Sequence, residues 1–145
     1  MANFLYFDTP HAISVHDDII LKSGGNAGSL NIGLLDSVID HIQNDIYYPT
    51  IEDKITHLFF SVNKNHAFND GNKRSSIALS AYFMELNGFG FEVDRFLTEM
   101  ENITVDVADN RIDKDLLFEI IYSILYEDDF SDELKWKLID AKSNI

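Results

Sequence analysis

At 145 residues, 46% of them hydrophobic, the chain is long enough to bury one core, and the absence of cysteine excludes thiol catalysis, disulfides and Cys-ligated metal. A formal charge of −14 argues against nucleic acid as a partner, because a phosphate backbone is repelled by most of such a surface. No signal-type N-terminus and no apolar run near the ~20 residues of a membrane helix are present, so a single domain over residues 1–145, with no membrane partner, is expected in a reducing cytoplasm.

Asp8-Thr9-Pro10 opens the first predicted helix, with Thr9 as the cap and Pro10 preset for the first turn. Ala12, Val15, Ile19 and Ile20 follow at helical spacing until Gly24-Gly25 ends the pattern, and His16-Asp17 reads as the exposed side of this helix. Gly24-Gly25-Asn26-Ala27-Gly28 lacks the glycine spacing and preceding strand of a phosphate loop and reads as a plain turn. A second helix is predicted over 31–44, capped by Asn31 and buried along Leu34, Leu35, Val38, Ile39 and Ile42. Ile46-Tyr47-Tyr48-Pro49-Thr50 is short, aromatic and stopped by proline; an ordinary helix–helix loop is the simpler reading and a hairpin-like segment the alternative.

Ile51–Asn65 carries Ile55, Leu58, Phe59 and Val62 at i, i+3, i+4 and i+7 and delivers the chain to His66. The stretch 72–87 is apolar on nearly every face, as expected of a helix surrounded by others, and Asn87-Gly88 supplies a left-handed stop. Residues 89–93 read as briefly extended, 95–109 as helical despite Ile103, Thr104, Val105 and Val107, and Asp113 and Ser131 as caps of two last helices. Six or seven helical patterns around a central buried helix, two prolines and short connections give a compact all-α bundle. Of the 25 acidic residues, fifteen follow Leu86, so the C-terminal third is the acidic part, a pattern that favours solubility.

The chemistry concentrates in His66-Ala67-Phe68-Asn69-Asp70-Gly71-Asn72-Lys73-Arg74, immediately before the apolar helix. Singly, each residue has a plain role: His66 as a helix end, Phe68 as an anchor, Asp70 as a cap, Lys73 and Arg74 as a solvated pair. Together they suit phosphate chemistry on a nucleotide. A helix N-terminus offers free N–H groups and a positive dipole end to an anion, Arg74 can fork onto phosphate oxygens, Asp70 can hold a Mg²⁺ that bridges them, Gly71 permits close backbone approach, and His66 can act as the base. A metal phosphohydrolase built from His16-Asp17, His11, His41 and His57 is disfavoured, because those residues lack ligand spacing.

The nine residues resemble the signature of the Fic/Doc family, His-x-Phe-x-Asp/Glu-Gly/Ala-Asn-Gly/Lys-Arg, at every informative position. From about His11 to Gly88 the chain is similar to the death-on-curing (Doc) branch in particular: the His-Asp pair of the first helix, the Gly-Gly turn, Gly33-Leu34-Leu35-Asp36-Ser37, and Lys64-Asn65 before the motif. The resemblance implies a Fic-type helical fold in which His66 deprotonates a target-protein hydroxyl, Asp70 binds Mg²⁺ and Arg74 contacts the phosphates of ATP. It further implies that Gly71, Asn72 and Lys73 belong to the anion cradle, that Phe68 is structural, and that Tyr47, Tyr48 and Thr50 lie in a small β-hairpin flap that aligns the target by strand-like pairing. Adenylylating relatives generally carry glycine where Lys73 stands, whereas Doc proteins carry lysine and bind the nucleotide in the reverse sense. Transfer of the γ-phosphate is therefore favoured over AMP transfer, with a catalytically silent binding protein as a third reading. A target in the translation machinery and a small antitoxin partner are implied by the resemblance alone. Two departures stand out: Leu30 replaces an arginine common in Doc-like sequences, and the nearest match to a self-inhibitory helix, Ser123-Ile124-Leu125-Tyr126-Glu127, is followed by Asp128 instead of Gly or Asn.

Overall fold

The computed structural model describes residues 3–25 and 31–143. Among them run seven α-helices: α1 (Thr9–Ser23), α2 (Ile32–His41), α3 (Ile51–Asn65), α4 (Asn72–Leu86), α5 (Val93–Ala108), α6 (Lys114–Tyr126) and α7 (Asp132–Ser143). No strand pairs with another among the described residues, so the all-α expectation holds. No helix there is long and apolar enough to cross a membrane.

The sequence dictates most of the boundaries. Asp113 and Ser131 accept from the N–H groups of Leu116 and Leu134 at 2.8 and 3.1 Å, as caps should. Thr50 and Asp53 close a reciprocal capping box at the start of α3. Gly88, at φ 91°, supplies the left-handed stop after α4. At α1 the cap is Asp8, which accepts from His11 N–H, and not Thr9; the Thr9 hydroxyl donates instead to Asp36 of α2. Helix α2 ends at His41, three residues before the predicted limit, and continues as turns to Asn44. Residues 90–92 wind as a 3-10 turn where an extended segment was expected, because a stretch this short leaves its geometry to the helices on either side.

Helices α3 and α4 form the central antiparallel pair. Helix α3 also packs against α2, α5 and α6, and α4 against α1 and α5, so the expected central helix shares its place with α3. Ile55, Leu58 and Phe59 of α3, Leu79, Phe83 and Met84 of α4, and Phe96 and Met100 of α5 are fully enclosed. Asn87 holds the N-terminal segment across α4, accepting from Leu5 N–H at 2.8 Å and donating to Leu5 C=O at 3.0 Å.

One cation is also fully enclosed. Lys54 donates to the Ile42 carbonyl at 2.6 Å and to Asp45 at 2.7 Å, while its ammonium faces the rings of Phe4 and Tyr6 at 5.1 and 5.7 Å. It satisfies a carbonyl at the C-terminal end of α2 from within α3, tying the two helices together. Asp45 is 62% exposed and stays hydrated without its partner, whereas the Ile42 carbonyl would be left dry. Lys54→Met is therefore expected to lower unfolding free energy by about 2 kcal/mol, the cost of one buried unsatisfied acceptor, as read from urea denaturation.

Candidate active site

The chain turns from α3 into α4 through residues 66–71, and a left-handed residue brackets the turn at each end: His66 at φ 52°, ψ 49° and Gly71 at φ 79°, ψ 15°. For a residue bearing Cβ this conformation costs about 1–2 kcal/mol. It persists at His66 because packed helices on both sides fix the path of the chain, the usual setting of strain at functional sites. The His66 ring remains exposed.

Inside the turn, Phe68 is buried as expected. The Asn72 side chain accepts from Phe68 N–H at 3.3 Å and donates to Phe68 C=O at 3.0 Å, closing residues 68–72 into a ring. These bonds fix the Asn72 side chain in the turn and use one of its two amide N–H donors. No side chain caps α4, and the first bond of the helix is Ser75 N–H to Gly71 C=O at 2.8 Å. The N–H groups of residues 72–74 thus lack intrahelical acceptors, and the positive end of the helix dipole lies among them.

His66, Asp70, Gly71, Asn72, Lys73 and Arg74 line one cavity of about 440 Å³, whose wall is completed by Asn63, Asn69 and Ala108. Asp70 accepts from its own neighbour's N–H, Gly71 N to Oδ1 at 2.8 Å. The other carboxylate oxygen is closely approached by Gly25, where a Cβ would stand 2.8 Å from Oδ2. Arg74 reaches the Gly24 carbonyl only at 3.4 Å with both terminal nitrogens, weak bonds that leave the guanidinium available to a stronger acceptor. Lys73 is exposed at the mouth. Its backbone is held from below: the Lys73 carbonyl accepts from Ser76 Oγ at 2.6 Å and Thr104 Oγ1 at 3.3 Å, and Asn63 donates to the carbonyl and hydroxyl of Thr104 at 3.0 and 2.9 Å.

Two features escape the sequence reading. Gly24 and Gly25, read as part of a plain turn, lie against Arg74 and Asp70; residues 26–28 of that turn, and Leu30, fall outside the described residues. His16, expected on the exposed side of α1, is completely buried, stacked on Phe68 with centroids 3.7 Å apart and planes 4° from parallel, its Nε2 lying 2.6 Å from the Asp70 carbonyl. A signal was available: His16 stands four residues after Ala12 and four before Ile20, on the stripe that buries both. Among the described residues no three His, Asp or Glu side chains gather as a metal cluster, so the His11, His16, His41 and His57 reading of a metal phosphohydrolase has no centre to stand on.

The suggested flap contains no strand; residues 45–47 are turns, consistent with the loop reading. Thr50 is spent on the α3 cap, and Tyr47 and Tyr48 line a separate concavity beside Lys114, not the cavity of the motif. Ser123 and Glu127 do not line the motif cavity either. Beneath the tyrosines, Tyr48 stacks on His57 at 4.3 Å, and Lys114 donates to His57 Nδ1 at 3.0 Å. Burial first, then the Lys114 and His41 charges, pull the His57 imidazole down to a pKa of about 4. The unfolded chain takes up this proton near its ordinary value of about 6.5. Acidification from pH 6.5 towards 4 therefore favours unfolding, and the contribution is fully present above that window. Wild type should lose roughly 2 kcal/mol more stability than His57→Gln over that interval, as measured by urea titrations at pH 7 and pH 4.5.

A family model described as Fic/DOC family matches residues 6–84, from the segment before α1 through most of α4. The chain is 33% identical over 96 residues to Toxin Doc of Mycolicibacterium smegmatis, covering 63% of this chain and 74% of that protein. It is 30% identical over 105 residues to Protein kinase doc of Escherichia phage P1, covering 69% of this chain and 79% of that protein. The matched span contains the buried His16, both glycines of the turn and all of residues 66–74, and the chain belongs to the Fic/DOC family.

Proposed function

We propose that the protein is a Doc-like toxin that transfers the γ-phosphate of ATP to a hydroxyl of a target protein, one belonging to the translation machinery, and that a small antitoxin restrains it in the cytoplasm. The observation that carries the reading is the single cavity in which His66, Asp70 and the uncapped start of α4, with Lys73 and Arg74, face one another. The names of the two relatives, a toxin and a protein kinase, support it.

The donor set suits Mg²⁺ bound through substrate: one carboxylate, Asp70, stands beside an anion-binding helix end and close glycine backbone, and Mg²⁺ is commonly held by one or two carboxylates together with phosphate oxygens. When bound, the ion would neutralise charge on the phosphate oxygens. The N–H groups of residues 72–74, Arg74 and Lys73 orient the triphosphate, and the exposed His66 stands where a protein hydroxyl can enter. His66 takes the hydroxyl proton as the oxygen attacks the γ-phosphorus; the new O–P bond forms, the bond to the β–γ bridging oxygen breaks, and ADP leaves with that electron pair.

AMP transfer is the second reading, and Lys73 is the residue that disfavours it. Adenylylating relatives generally carry glycine at this position, and a long, exposed cation here is expected to oppose their nucleotide pose. Incubation with Mg²⁺, bacterial lysate and ATP labelled at either the γ or the α position separates the two. Protein-bound label from γ alone is expected, and His66→Ala should reduce it by roughly 10²-fold or more, the range for loss of a general base. Label from α alone would replace kinase with adenylyltransferase, and undiminished labelling by His66→Ala would remove His66 from its role.

A further inference from the structure

His16 touches the phosphate-type loop at a point where one hydrogen bond sets two others. A carbonyl oxygen can only accept, so Nε2, 2.6 Å from the Asp70 carbonyl, carries a proton and donates. That carbonyl belongs to the peptide plane joining Asp70 to Gly71. The opposite edge of the same rigid plane carries the Gly71 N–H, which donates to Asp70 Oδ1 at 2.8 Å. Rotation of the plane away from His16 would therefore turn the N–H away from the carboxylate.

The surroundings permit no easy alternative. The imidazole is fully buried and parallel to the Phe68 ring, so its donor direction is fixed by packing. At Gly71 a Cβ would lie 3.4 Å from His16 Nε2 and 3.1 Å from Ile20 Cδ1, and φ of +79° is a conformation glycine adopts without cost. The glycine thus serves the approach of the histidine as well as the turn. Asp17 Oδ1 lies 3.2 Å from His16 Nδ1, on the solvent side.

We propose that His16 is a positioning residue of this site, holding the Asp70–Gly71 peptide plane so that the Asp70 carboxylate is aimed into the cavity. The inference deepens the phosphotransfer reading and rests on it for its effect on ligand. His16 touches neither substrate nor metal; it acts through Asp70. Its influence should appear in the Mg²⁺-dependent part of nucleotide binding and leave the Mg²⁺-free part nearly unchanged.

The test compares His16→Leu, which deletes the donor, with His16→Gln, which retains an N–H donor; both lose the ring stack, so their difference reports the hydrogen bond. Calorimetric ATP affinity is measured with Mg²⁺ and with chelator, alongside thermal unfolding and amide hydrogen exchange at Gly71. Wild type should bind more tightly with Mg²⁺, and His16→Leu should lose that advantage by roughly tenfold or more, the range for removing an outer partner of a metal ligand. His16→Gln should recover most of it, and Gly71 exchange should quicken in His16→Leu alone. Equal Mg²⁺ dependence in wild type and folded His16→Leu overturns the inference and leaves the phosphotransfer reading standing. Absence of Mg²⁺-dependent binding in wild type overturns that reading instead. In that case Gly71 exchange decides the placement of the plane, and unchanged exchange in His16→Leu, or equal quickening in His16→Gln, refutes it. If His16→Leu fails to fold, slower Gly71 exchange in His16→Gln than in His16→Ala supports the bond, and equal rates refute it.

Discussion

The structure depends on a reversal: two long antiparallel helices, α3 and α4, must be joined through residues 66–71 while the second keeps its first N–H groups uncapped. A short connection between packed helices has few backbone solutions. Here the solution uses a left-handed residue at each end, and one of them bears a side chain. The strain at His66 is offset by the extensive packing of α3 on α4, so the fold's largest internal contact also holds His66 at the cavity. Asn72 on Phe68 closes the turn from inside.

Each functional group is then fixed from a different helix. Helix α1 supplies His16 beneath the loop, and the two glycines that follow its C-terminus lie beside Asp70 and Arg74. Helix α5 supplies Thr104, which together with Ser76 ties down the Lys73 carbonyl and through Asn63 returns to α3. A site held this way is preorganised by buried bonds, where each is worth more than at the surface and costly to break. The charge pattern adds to this. On a chain of net charge −14, two cations and an open helix N-terminus gather at one cavity, a local excess of positive charge against the balance of the chain.

Much of this was legible in the residues. The bounds of α3, the start of α4 and the caps Asp113 and Ser131 follow from local rules that tertiary packing did not override. The motif was legible as chemistry because its residue types are consecutive. What escaped depends on contacts between distant segments. His16 was hidden by its neighbours Asp17 and Asp18, whose charge marks the helix as wet although the Ala12–Ile20 stripe passes through the histidine. Lys54 was hidden in the same way, since nothing local announces that Ile42 would need a donor. Asp8 and Thr9 were both competent caps, and the choice turned on Asp36, a partner on another helix. The 3-10 turn at Gly90–Glu92 carries too few residues for any periodicity to show.

Lys73 shows how the layers of the argument meet. Its backbone is among the most firmly held points of the site, fixed by Ser76 and Thr104, yet its side chain is exposed and carries no ion pair with a described residue. A rigid root with a free, charged tip puts a movable point charge at the cavity, since the ammonium sits on a flexible stem. Arg74, one residue on, has a planar fork already leaning on Gly24 with both terminal nitrogens. The two cations thus differ in stiffness at the same cavity: the Arg74 fork leans on Gly24, whereas Lys73 carries its charge on a flexible stem from a fixed backbone.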